Sequence, residues 1–385
     1  MAPRYDVQPG KAIAIFQLGD TLWHVLDLLR THKTDYPKVG LSWDPESPHK
    51  SAVTIHLAQL TLYFPHSLRQ SLQLIVVPSL ATSRLVLHYE AQVLSSPTQR
   101  LTRARVGRTL GPTYASTGSS TLSYPGITFD LLTSSGERED LVETLTVSPK
   151  SEEAVSLGPI SSVAVHPNRG VTIYLPDAFE VIIGETTAQD LLLDLGPPLR
   201  KFWKEDDRVE RMWGGAESTD DEKGACFWNY FQYGMDFLIL RSGVVSKIIL
   251  YSNIPGTPLF QRYSRAPWTI PVSSGTLDFT CPLASFRINL TSKSQTRYTD
   301  EVRLTVPTTG KKKTRASSPA EPRATVGEEE PLDTMMLDRV GEGGLDGVIG
   351  VGGSRLLGFD GLIVEEDRQS SGICSVLVYK ERLIA

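Results

Sequence analysis

The seven histidines, His24, His32, His49, His56, His66, His88 and His166, all lie in the first half of the chain. Imidazole is the side chain that most often binds a transition metal or moves a proton near neutral pH. Their spacing favours neither task. His24 and His32 miss the i, i+4 step that puts two ligands on one helix face, and no histidine makes a zinc spacing with Cys226, Cys281 or Cys374. His56 and His66 fall on or beside neighbouring strands and could approach each other. Three cysteines, odd in number and far apart, fit buried thiols in a reducing compartment better than a disulfide framework. The nucleophile elbow Gly-x-Ser-x-Gly is absent, and Ser116-Thr117-Gly118-Ser119-Ser120 reads as a turn. Asp206-Asp207 and Asp220-Asp221-Glu222 read as solvated loops. The run Gly347 to Ser354 has the glycine density of a phosphate loop but lacks its Gly-Lys-Ser/Thr, so it reads as a flexible loop. No metal, cofactor or catalytic residue is expected.

Two kinds of binding segment stand out. Lys311-Lys312-Lys313-Thr314-Arg315 could touch an anionic membrane at about 1 kcal/mol per charge, weakly, because no amphipathic helix adjoins it. Trp23-His24-Val25-Leu26 and Phe359-Asp360-Gly361-Leu362 have the aromatic-x-x-aliphatic form that docks on ubiquitin-like modifiers by strand addition. The first lies inside a helix whose face the core needs. The second, with Phe359 and Leu362, follows the glycine tract and competes with a plain core role. The net charge of −5 gives no basic excess for nucleic acid.

Hydrophobic residues at 40% and charged residues at 22% are the balance of a chain that buries a core, and 385 residues point to two or three modules. Gly19-Asp20-Thr21 opens a helix whose apolar stripe is Leu22, Val25, Leu26 and Leu29. Val53 to Leu57 and Leu60 to Phe64 alternate as a hairpin, and Leu72 to Val77 follows as a strand. Thr98 to Leu110 reads as a second helix burying Leu101, Val106 and Leu110, stopped by Gly111-Pro112. Strands at Val171 to Leu175 and Phe179 to Ile183 precede a third helix opened by Gly184-Glu185-Thr186-Thr187, bearing Leu191, Leu192 and Leu195 and stopped by Gly196-Pro197-Pro198. Phe227 to Phe231, Met235 to Leu240 and Val244 to Tyr251 form a meander, and Leu362 to Val364 and Ile373 to Tyr379 are the last strands. The expected class is α+β: helix-plus-antiparallel-meander modules, sheets covered by short helices. The modules span 1–95, 96–160 (degenerate), 161–275 and 276–385, the last with a disordered insertion at about 308–350. No run reaches the length of a membrane-spanning helix and no export signal is evident, so a cytoplasmic protein with Asn289 unglycosylated is expected.

The segment CFWNYFQYGMDFLILRSGVVSKIILYSNIPG, Cys226 to Gly256, resembles the phagosome assembly factor family at Asn229, Tyr230, Phe231, Gly234, Asp236, Lys247, Leu250, Ser252, Asn253, Pro255 and Gly256. GETTAQDLLLDLGPP, LGPTY and the strands from Gly358 to Tyr379 are also similar to that family. The resemblance implies a non-enzymatic adaptor in autophagy. It implies a WD-repeat β-propeller partner that supplies phosphoinositide contact, recruitment to the phagophore assembly site, and an association with the trans-Golgi. The partner-binding candidates are Asn229, Tyr230, Phe231, Asn253, Pro255, Gly256, Phe359 and Leu362, although Gly256 after Pro255 suits a type II turn and Asn229 a strand edge, so these positions serve the fold first. The alternative expectation is a lipid- or small-ligand-binding protein of Golgi and vesicle traffic, using a concave sheet.

Overall fold

A computed structural model of the chain describes residues 4–113, 120–132, 138–150, 160–203, 224–290, 334–340 and 351–381. In the first half, β1 (Arg4–Gln8), β2 (Ala12–Ile13) and β3 (Phe16–Gln17) lead into helix α1 (Leu22–Thr31). The meander β4 (Val39–Ser42), β5 (Val53–Leu57), β6 (Thr61–Phe64) and β7 (Leu74–Val77) follows. Then come β8 (Val86–Tyr89), β9 (Gln92–Ser95), α2 (Arg103–Leu110), β10 (Thr121–Tyr124), β11 (Ile127–Leu131) and β12 (Val142–Val147). The second half repeats this order. It runs β13 (Ser162–His166), β14 (Gly170–Tyr174), β15 (Ala178–Ile182) and α3 (Ala188–Asp194), then β16 (Arg200–Trp203), β17 (Cys226–Tyr230), β18 (Met235–Ile239) and β19 (Val245–Tyr251). β20 (Trp268–Val272), β21 (Gly275–Leu277), α4 (Leu283–Leu290), β22 (Thr334–Val340), β23 (Val351–Phe359), β24 (Leu362–Asp367) and β25 (Ile373–Tyr379) complete it.

The sheets show that the two halves are copies of one unit. The order β3-β2-β1-β8-β9 is matched by β15-β14-β13-β20-β21. The order β10-β11-β12-β7-β6-β5-β4 is matched by β23-β24-β25-β19-β18-β17-β16, with β22 added outside β23. Strand register carries the match to single residues. The row Leu41, Ile55, Leu62, Ile75, Val147, Ile127 crosses the first large sheet. The row Lys201, Trp228, Phe237, Ile248, Val378, Leu362 crosses the second. The helix caps agree with this register: Thr21 and Thr187 cap α1 and α3, and they bridge to Ser71 and Val244, each four residues before Ile75 and Ile248.

The α+β expectation is overturned, because the protein is a β-rich fold whose described residues form four sheets of 5, 7, 5 and 8 strands. The described helices have only 10, 8, 7 and 8 residues. Helix caps and Gly-Pro stops are strong local signals, whereas two-residue strands such as β2 and β3 are too short to show a period. The sheets are also not wholly antiparallel. β1 pairs parallel to β8, and β13 to β20. Each parallel pair needs a long crossover, supplied here by a helix and an entire meander. Strands β10, β11 and β12 complete the sheet that β4 to β7 begin, and α2 occupies the place of α4 in the repeat rather than that of α1.

Locally the expected elements form where capping and alternation put them. Thr21 accepts a hydrogen bond from the His24 N–H at 3.2 Å, and Leu22, Val25, Leu26 and Leu29 are buried. Thr187 and Asp190 make a reciprocal capping box. Helix α2 begins at Arg103 rather than near 98, because Thr102 is its extended N-cap; Leu101 and Val106 are buried and Leu110 is partly so. One hydrophobic core gathers residues from Val7 to Val147 together with Phe260, and a second runs from Ile160 to Val378. No helix among the described residues is long and apolar enough to cross a membrane.

Candidate functional site

In the first repeat, residues 78–85 connect β7 to β8. The corresponding connection in the second repeat, 252–267, leaves its own repeat and lies against the first. Asn253 opens it at φ 45°, an αL-type conformation that Asn tolerates better than most residues. The Asn253 Nδ2 donates to Gln70 Oε1 at 2.9 Å, and its Oδ1 accepts from the Gln261 N–H at 3.0 Å. Gly256, at φ 82°, lies beside Trp43. Phe260 packs on Trp43 with ring centroids 5.8 Å apart and joins the first core. Trp23 Nε1 donates to the Arg262 carbonyl at 3.0 Å, and Arg30 to that of Gln261 at 3.2 Å. Arg265, 3% exposed, donates to the carbonyls of Ser252 at 2.7 Å and Ser67 at 2.8 Å, and lies over the Phe279 ring. Its burial pulls the guanidinium down from its ordinary value to about 9. These contacts clasp the two repeats together.

Behind the clasp sits a buried polar cluster. Asp236, in the fully covered strand β18, receives hydrogen bonds on Oδ2 from Tyr251 OH at 2.9 Å and Tyr263 OH at 2.7 Å. The two tyrosine rings stack at 3.7 Å, and Asn229 Nδ2 donates to Tyr263 OH at 3.5 Å. Desolvation raises the Asp236 carboxyl above its ordinary value, while hydrogen bonds from Asn229, Tyr263 and Tyr251 pull it back in part. A cavity at the seam, lined by Arg69, Gln232, Ser264 and Arg265 among others, measures only ≈ 20 Å³. That is room for about one water, not for a substrate. The arrangement locks two repeats together and favours a proton on the buried carboxyl.

The structure places the sequence candidates as follows. Asn229, Tyr230, Asn253 and Leu362 are buried, at 7%, 0%, 4% and 0% exposure. Pro255 is buried, Phe231 is half-buried against Tyr263, and Gly256 is exposed. Phe359 is half-buried against the second core, at the β23–β24 turn. Asn229 and Asn253 share one seam, whereas Phe359 and Leu362 lie at a separate hairpin. Trp23 is committed to Arg262. Residues 351–354 of the glycine tract begin strand β23, and Ser354 and Arg355 bond Glu365 and Glu366 on β24 at 2.7 Å each. The rest of that tract, 347–350, lies outside the described residues, as do 116–119, both acidic pairs and the basic run at 311–315.

His56 meets Ser42 at 2.9 Å and His66 meets the His49 carbonyl at 3.1 Å, so the two histidines do not pair with each other. Among the described residues no carboxylate is hydrogen-bonded to His56, and no group of three or more His, Cys, Asp or Glu side chains could hold a metal ion. Cys226 and Cys374 are buried and Cys281 partly so, all as free thiols. Gln70, Arg265 and Tyr263 were missed from the sequence. The one available signal was a charged residue inside the apolar run Tyr263 to Trp268.

The chain matches the protein family described as Phagosome assembly factor 1 over residues 12–163 and 176–301. A PHAF1 protein of Caenorhabditis elegans is 24% identical over 315 residues, spanning 66% of this chain and 74% of the relative. No solved structure matches.

Proposed function

The chain belongs to the phagosome assembly factor 1 family, with a role in phagosome and autophagosome assembly, and on that premise we propose that it acts there as a non-enzymatic adaptor. Its partner in this reading is a WD-repeat β-propeller protein that carries the phosphoinositide contact, and the pair is recruited from the cytoplasm to the phagophore assembly site. The observation that carries the reading is the clasp. Asn253, from the segment that resembles the family, and Arg265 twelve residues on are spent on fastening two β-rich repeats into one body, with a ≈ 20 Å³ cavity at the seam. Such a body supports binding on its outer surfaces. Purification of the tagged chain from its own cells under starvation is expected to recover a WD-repeat protein in near-stoichiometric amount. Repeated recovery of the chain alone would overturn the reading.

One observation favours a second reading, lipid or small-ligand binding in vesicle traffic. A cleft of ≈ 560 Å³ on the first repeat is lined by Lys33, Tyr36, Lys38 and His56, within the size range of ligand pockets. Flotation of the isolated chain with phosphoinositide-containing liposomes separates the two, since the adaptor reading expects the chain to stay at the bottom without its partner.

A further inference from the structure

The duplication provides an internal control, because each position on one repeat has a counterpart on the other. From the shared caps Thr21 and Thr187, Leu26 corresponds to Leu192 and Asp27 to Leu193. From the shared row through Leu41 and Lys201, Trp43 corresponds to Trp203. On the first repeat the corner between α1 and β4 is closed by the 252–267 connection: Phe260 covers Trp43, Trp23 and Arg30 hold the backbone beside it, and Leu26 is fully buried. On the second repeat no described residue closes the same corner. Trp203 is 61% exposed and Leu192 42%; Leu193 beside it, 76% exposed, matches Asp27, which is exposed as well, and Phe202 lies on the opposite face of the strand. Beside them β16 forms the edge of its sheet among the described residues and carries Arg200 and Lys201. Large apolar side chains grouped on an open strand edge mark a place where another chain pairs.

We infer that the corner between α3 and β16 is the surface on which this adaptor seats a partner protein. The occupant is a segment that sets an aromatic or branched apolar side chain against Trp203 and Leu192, as Phe260 is set against Trp43, and that brings a carboxylate to Lys201, which shares a strand face with Trp203. Strand addition along β16 supplies the backbone hydrogen bonds and the open side chains supply selectivity. A second copy of the chain does not fill the corner with its own 252–267 connection, since that segment is already buried against its own first repeat. The inference rests on the adaptor reading and assigns its surface.

The test uses the full-length chain co-expressed with the WD-repeat protein. The changes Trp203→Asp and Leu193→Asp fall on exposed side chains and are expected to weaken co-purification by at least about tenfold, with the melting temperature unchanged. The reversal Lys201→Glu is expected to weaken it as well and to reduce its salt dependence. A chain with Trp203→Asp that binds as tightly as the original overturns the inference and leaves the adaptor reading standing. An original chain that recovers no WD-repeat protein removes both. Two observations on the isolated chain also overturn it: a dimer that Trp203→Asp converts to a monomer, or slow amide exchange along residues 199–203 that deletion of 204–223 abolishes. The first would make the corner a self-contact, and the second would make it covered by its own chain.

Discussion

Two buried ionisable side chains stand at the clasp, Arg265 within it and Asp236 in the polar cluster behind it, and each reports on it differently. The raised Asp236 carboxyl means that the folded protein holds a proton there more tightly than the unfolded chain, whose carboxyl keeps its ordinary value of 3.8. The stability from that difference is fully present below 3.8 and is lost as the pH rises through the folded value. Unfolding free energies of the original chain and Asp236→Asn, measured from pH 3 upward, should therefore diverge with rising pH at the expense of the original. A difference that stays flat across the acid range would rule out the buried-carboxyl account. Arg265 donates to two carbonyls from different repeats. Lysine cannot reproduce that fork, so Arg265→Lys should cost about 2–4 kcal/mol in denaturant unfolding, leaving a buried carbonyl unmet. A loss below ~0.5 kcal/mol would show that water replaces the lost arm.

At the scale of elements, the hairpin β17–β18 and the 252–267 connection depend on close backbone approach. Gly234 sits at φ 71°, and a Cβ there would come within 2.2 Å of the Ser264 carbonyl oxygen and 2.8 Å of the Ala266 nitrogen. Both obstacles are backbone, so neither can rotate away. Gly234→Ala should destabilise the protein by about 2–4 kcal/mol, with thermal melting as the measurement; an unchanged melting temperature would mean the connection is slack. Helix caps, hairpin alternation and the Gly-Pro stops were legible in the sequence because each depends on neighbours a few residues apart. The sheet class was not, because β2, β3 and the parallel pairs β1–β8 and β13–β20 take their identity from strands far away in the chain. Of the candidate site, Asn229, Asp236 and Asn253 were legible as residue types in a specific pattern. Their partners Gln70 and Tyr263 were not, since nothing local distinguishes a glutamine that will meet Asn253 from across the fold.

For the whole molecule, the question is how firmly two similar repeats are joined. Phe260 belongs by chain to the second repeat and by packing to the first core. Truncating a buried phenylalanine costs about 3–5 kcal/mol, and here the loss falls on the first repeat alone. Calorimetry of Phe260→Ala should split one melting transition into two, the lower belonging to the first repeat; a single transition at the original temperature would show that the clasp does not couple them. The amino-acid sequence by itself determined the short-range features: where helices α1 and α3 start and stop, which strands alternate, and which family pattern runs through Cys226 to Gly256. Each is set by spacings within a turn or a hairpin, where side chain and backbone choose their partners locally. Only the tertiary structure decided that the chain is one β-rich unit built twice, that Asn253 and Arg265 fasten the copies, and that Trp43 is covered while Trp203 is not. Those outcomes depend on which distant strands share a sheet and which loop crosses to which repeat, and contacts of that kind leave no period in the sequence.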